Sequence, residues 1–120
     1  MHKLIILFDR PSDSLAFITG WQAFLSLAEQ MPGLRRETVS RIEDVIYAKK
    51  DAPFKIHEFY FDDRAALDAA LASDAGQQAG EWLHRFTGGN FTLLTAPHQE
   101  ATEKEIKKGF TKKKARARSA

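Results

Sequence analysis

The residues best placed to do chemistry in this chain of 120 residues are His57, Glu58 and Tyr60, inside the apolar run Phe54 to Phe61 (FKIHEFYF). Alternation along an extended strand puts His57 with Phe59 and Phe61 on one face. Glu58 and Tyr60 fall on the other, with Phe54 and Ile56. Imidazole titrates near neutrality, so His57 is the best of the four histidines for general acid–base work. The plainer reading is a hydrogen-bonded histidine on a sheet face. Glu58 and Tyr60 are candidates for orienting a polar group of a ligand, or for an inter-subunit hydrogen bond to arginine or backbone.

Little else in the chain carries a chemical signature. His2, His84 and His98 are scattered, with no His-x-His or His-Glu-x-x-His pattern, so no metal site is expected. Gly76 and Gly88-Gly89 lack the spacing of a phosphate loop, and no serine sits in a Gly-x-Ser-x-Gly elbow. The absence of cysteine excludes disulfides, thiolate nucleophiles and cysteine-ligated zinc. No cofactor is expected. Trp21, Phe24, Trp82 and Phe86 are candidates to line an apolar ligand pocket, although aromatics at helical spacing also build ordinary core.

The elements that must position these groups are readable. His2 to Phe8 predicts a strand with Leu4, Ile6 and Phe8 on one face and Lys3, Ile5 and Leu7 on the other; both faces are largely apolar, as in a strand covered on two sides. After Pro11-Ser12-Asp13-Ser14, a helix places Phe17, Trp21, Phe24, Ala28 and Met31 on one wide stripe. Gly20 within it costs about 1 kcal/mol relative to Ala and marks a close backbone approach. Pro32-Gly33 ends the helix. A long strand is expected from Arg36 to Tyr47, with a bulge because Val39, Ile42, Val45 and Ile46 do not keep one parity. The third strand is Phe54 to Phe61. Asp62-Asp63 starts a helix with Leu67, Ala70 and Leu71 inward, and Ser73-Asp74 restarts it, giving a second stripe of Ala79, Trp82, Leu83 and Phe86. Gly88-Gly89-Asn90 turns the chain into a last strand, Phe91 to Ala96. The order strand, helix, strand, strand, helix, strand is a ferredoxin-like βαββαβ plan of α+β class, with a four-stranded antiparallel sheet.

Charge is split along the chain. Eight of the 18 Lys and Arg but only two of the 16 acids lie after Glu100, so the last twenty residues carry +6 and the rest −4. We therefore expect one domain over residues 1–100 and a basic tail over 101–120, disordered or a frayed helix. The tail offers a contact to nucleic acid or to another anionic surface. An RNA-recognition module shares the element order, yet the third strand lacks the Lys/Arg-Gly-aromatic opening of that motif and carries Glu58. Leu4 to Phe8 is too short for a membrane span or a secretory signal, and a cytoplasmic location is expected.

Three blocks carry a family resemblance over about Met1 to Pro97. They are the aromatic helix ending in Met31-Pro32-Gly33-Leu34-Arg35-Arg36, the stretch Glu58-Phe59-Tyr60-Phe61-Asp62 before an Ala/Leu helix, and the restart Ser73-Asp74-Ala75-Gly76-Gln77. Together they resemble the EthD-like family of the dimeric alpha/beta-barrel superfamily. The resemblance implies a homodimer whose sheets associate into a barrel, with helices outside and a small apolar cavity in each protomer. Relatives on this fold include cofactor-free monooxygenases, isomerases and cyclases of aromatic or polyketide-like substrates. By that resemblance this protein binds a small hydrophobic or aromatic metabolite and oxidises or rearranges it without a cofactor; the alternative is a non-enzymatic dimer or a nucleic-acid binder using the tail. One position departs from the pattern. Many members carry a histidine eight residues before the proline of the turn, where this chain has Phe24.

Overall fold

The computed structural model describes residues 1–109. In chain order the elements are β1 (His2–Phe8), α1 (Ser14–Ala28), β2 (Arg36–Arg41), β3 (Lys55–Phe61), α2 (Arg64–Ala72), α3 (Asp74–Thr87), β4 (Phe91–Pro97) and α4 (Glu103–Lys107). The four strands form one antiparallel sheet in the order β2-β3-β1-β4, and α1, α2 and α3 pack on the face that carries Leu4, Ile6, Phe8, Phe59 and Phe61. This is the expected ferredoxin-like α+β arrangement.

Local chemistry sets the helix limits. Asp13 caps α1 by accepting from Ala16 N–H at 3.0 Å, and Asp63 caps α2 by accepting from Ala66 N–H at 2.8 Å. Ser73 ends α2 and caps α3, accepting from Gly76 N–H at 3.1 Å, as the restart predicts. Gly88 closes α3 in the left-handed conformation (φ 65°), which an L side chain resists. The apolar stripes of the helices meet Leu4, Ile6, Phe8, Phe59 and Phe61 to form the core. Gly20 lies against α3: a methyl group there would sit 2.8 Å from Phe86 Cβ, and Trp82 Nε1 donates to Gly20 O at 2.8 Å. The close approach expected at Gly20 is therefore the crossing of α1 and α3.

Two expectations need correction. The second strand ends at Arg41 rather than Tyr47, and its pairing with β3 runs without a bulge from Arg36↔Tyr60 to Arg41↔Lys55. The ladder stops because β3 begins at Lys55; Ile42 N–H still reaches Phe54 O at 2.9 Å, and beyond it there is no partner strand among the described residues. Val45, Ile46 and Tyr47 are consequently exposed in the connection to β3, and their mixed parity was that of a loop. Phe54 is the second correction. It precedes the strand, so the alternation does not bind it, and its ring packs on Phe17 of α1 at 5.0 Å instead of joining Ile56 on the far face.

In the basic tail, Thr102 and Glu105 form a reciprocal capping box for the short α4. Lys112, Lys113, Lys114, Arg116 and Arg118, which carry most of the tail's charge, lie outside the described residues. Among the described residues no helix is long and apolar enough to cross a membrane.

Candidate functional site

His57 occupies the middle of β3 on the helix-covered face and is 0% exposed. Its ring stacks on Phe59 at 4.3 Å, meets Phe24 edge-on at 6.5 Å and lies 5.9 Å from Trp21. Nε2 is 3.1 Å from Glu37 Oε2 on the neighbouring edge strand β2. Desolvation pulls the imidazole pKa down to about 4; Glu29 opposes that shift and Lys55 adds to it. The ring is therefore neutral at physiological pH. A neutral ring facing a carboxylate donates through Nε2–H, which is the tautomer Glu37 selects and which leaves a lone pair on Nδ1. That Nδ1 is buried and has no hydrogen-bond partner among the described residues. The same holds for Trp21 Nε1–H, a donor on the adjacent ring. An orphan acceptor and an orphan donor thus belong to two neighbouring rings between α1 and the sheet.

Glu37 connects this site to the surface. Glu29, the exposed C-cap residue of α1, has its carboxyl pKa raised first by the neighbouring Glu37 carboxyl, which favours a proton held between the two, and then by burial. His57, Glu37 and Glu29 form a row from the core to solvent. Lys55, two residues before His57 and on the same face, holds its Nζ 3.5 Å from the centroid of Trp21. Burial, then the nearby charge of Arg41, lower its pKa.

Of the four predicted pocket aromatics, Phe24 is buried in the core and Trp21, Trp82 and Phe86 are half-buried against it. Phe24 and Phe86 are 6.1 Å apart, Trp82 stacks on Phe86 at 6.0 Å, and the Trp82 indole is engaged by Gly20 O. Phe24 borders a small apolar cavity of about 50 Å³ with Leu4, Met31 and Leu83. A larger cavity of about 270 Å³ lies at the other end of α1, against Phe17, Ile18, Ile42, Phe54 and Lys55.

Glu58 and Tyr60 face the opposite side of the sheet, as the alternation requires. Glu58 forms an ion pair with Lys3 of its own chain, on the adjacent strand β1. Tyr60 is only 3% exposed because the Arg36 guanidinium lies 4.3 Å over its ring and His98 packs on it edge-on at 4.8 Å; its hydroxyl is 3.3 Å from Thr38 Oγ1. These two residues do not join His57 in one site. The sequence reading missed Glu37, Glu29 and Lys55. Strand parity was signal enough to put Lys55 on the face of His57, whereas Glu37 is opposite Phe59 only through the β2–β3 register. Among the described residues no group of three or more His, Asp or Glu side chains is arranged to hold a metal ion.

No family model matches the chain. Its fold superposes with a TM-score of 0.75 on the crystal structure of an EthD family protein from Bacillus halodurans C-125, with 30% identity over 82% of this chain and 99% of that one. The chain belongs to the EthD family. Among curated relatives of this EthD-family chain is an uncharacterized 11.0 kDa protein of the thcB-thcC intergenic region of Rhodococcus erythropolis, 25% identical over 95 residues that cover 78% of this chain and 91% of that one. Two further structures share the fold at lower identity. A dimeric ferredoxin-like protein of unknown function from Jannaschia sp. CCS1 matches with TM-score 0.59 and 18% identity over 81% of this chain and 98% of its own. SnoaB, a cofactor-independent oxygenase from Streptomyces nogalater, matches with TM-score 0.59 and 16% identity over 85% and 95%.

Proposed function

We propose that this EthD-family protein is a homodimer that binds a small hydroxylated aromatic metabolite between α1 and the sheet and moves a proton on it at His57. The observation that carries the reading is the pair of buried, unpartnered polar atoms on adjacent rings, Trp21 Nε1–H and His57 Nδ1. A hydroxyl group seated between the two rings would accept from the indole and donate to the imidazole. The surrounding rings of Phe24, Phe59 and Trp21 suit an aromatic body. His57 is held for this role by Glu37 on its far nitrogen, which fixes tautomer and orientation. A pKa near 4 makes the resting ring a weak base. Negative charge developing on the substrate oxygen beside it favours the imidazolium and strengthens the base as the proton moves. Deprotonation of a hydroxyaromatic compound is a common opening step of its isomerisation and of its oxygenation without a cofactor, and SnoaB, of the same fold, is described as a cofactor-independent oxygenase.

The departure at Phe24 fits the same reading. Where many members carry a histidine on α1, the Phe24 ring meets His57 edge-on, so an imidazole occupies the region from the strand instead of the helix. Dimerisation is assigned to the uncovered sheet face, where Ile5, Leu7 and Ile56 are half-buried and Leu94 is exposed. Structural relatives described as dimeric support it. The test is calorimetric titration of the full chain with naphthol and with naphthalene. The expected result is tighter binding of naphthol, an advantage lost in His57→Leu while the solution mass stays that of a dimer. Equal binding of naphthol by His57→Leu and the parent would overturn the assignment of His57.

A further inference from the structure

The cavity of about 270 Å³ at the N-terminal end of α1 has a chemistry of its own. Phe17, Ile18, Ile42 and Phe54 give it apolar walls, and Arg10, Arg41 and Lys55 give it three cationic side chains with no carboxylate in the lining. Among the described residues none of these three cations forms a salt bridge, although Arg35, Arg36, Arg64 and Lys3 all do. Two like charges, Lys55 and Arg41, are directly opposite each other on β3 and β2. Such an arrangement is unfavourable by itself, because like charges on opposed residues repel and Lys55 is also half-buried. An anion brought between them removes the repulsion and gains charge-assisted hydrogen bonds.

We propose that this cavity is the anchor for the carboxylate of an amphipathic aromatic acid, whose carboxylate meets Lys55 and Arg41 and whose apolar body passes the Phe17 and Phe54 walls towards Trp21 and the ring site beside His57. Resting on the functional reading above, the inference adds the charge of the ligand and the direction from which it enters. Lys55 is the link between the two regions: it lines the cavity and its Nζ also lies over Trp21, the ring next to His57. A carboxylate that draws Lys55 outward withdraws the cation from the Trp21 face and from the neighbourhood of His57, whose pKa Lys55 depresses. Arg10 also borders a second groove that contains Asp9 and Asp51, so it is the least committed of the three cations to the ligand.

The experiment compares naphthoate with naphthalenemethanol, equal in ring and differing in charge, by calorimetry on the full-length protein and on Lys55→Gln/Arg41→Gln, with Arg85→Gln on the exposed face of α3 as control. The basic tail is present in every protein, so its general affinity for anions cancels. About tenfold tighter binding of naphthoate, retained in Arg85→Gln and reduced to near parity in the double variant, is the expected result. Equal binding of both probes by the parent overturns the carboxylate anchor and leaves the functional reading standing. A naphthoate preference that survives in the double variant overturns the assignment to this cavity. Failure of both probes to bind overturns the anchor together with the reading on which it rests.

Discussion

Gly20→Ala tests the helix crossing that frames the site. An added methyl group would stand 2.7 Å from Phe86 Cδ2 and 2.8 Å from both Phe86 Cβ and Phe86 Cγ. Carbon atoms pack comfortably at about 3.5 Å or more, so the two helices must part by about 0.7 Å. Rotation of the Phe86 ring cannot supply this, because Cβ is attached directly to the α3 backbone. Phe86 also packs against Phe8, Phe17 and Phe24, so its displacement is felt across the core. Overpacking of this kind costs about 1–3 kcal/mol, and the better helix propensity of alanine returns about 1 kcal/mol. The net expectation is a loss of about 1 kcal/mol. Gly80→Ala on α3 is the internal control, since nothing lies within 4 Å of its added methyl group and the same propensity gain stands unopposed. Urea unfolding followed by far-ultraviolet circular dichroism separates the pair, with Gly80→Ala stabilised by about 0.5–1 kcal/mol and Gly20→Ala destabilised. A Gly20→Ala protein stabilised as much as Gly80→Ala would refute the crossing geometry.

His57 makes stability depend on pH. Its folded pKa of about 4 lies below the ordinary value of 6.5, so between these limits the unfolded state binds more protons. Stability is then lost as pH falls from 6.5 towards 4, by about 2 kcal/mol between pH 7 and pH 5, and levels off below. Urea midpoints at the two pH values should show this slope in the parent, and His57→Phe should lack that part of it. Leu94→Lys places a charge on the uncovered sheet face opposite Ile5, and light scattering should report the proposed dimer for the parent and a monomer for the variant; a dimer in both would move the interface elsewhere. Asp63→Ala removes the α2 cap and is expected to cost about 1 kcal/mol in the same unfolding assay.

The sequence by itself determined the element order, the family and which side of β3 each candidate group faces. Those features rest on local rules. Alternation separates His57 from Glu58 and Tyr60, aspartate and serine caps start the helices, and a glycine inside an apolar helix signals close approach. Local rules stopped short where the partner decides. The end of β2 depended on where β3 begins, and Phe54, released from the ladder, turned to Phe17 although its parity pointed the other way. The candidate site was legible only at its centre. Its other members reach His57 from three elements: Trp21 from the middle of α1, Glu29 from its C-cap and Glu37 from an edge strand, with Lys55 from the start of His57's own strand. Hydrogen-bond partners and burial depend on distances between segments far apart in the chain. The neutral state of His57, and the absence among the described residues of partners for its Nδ1 and for the cations around the larger cavity, therefore came into being only when the helices closed over the sheet.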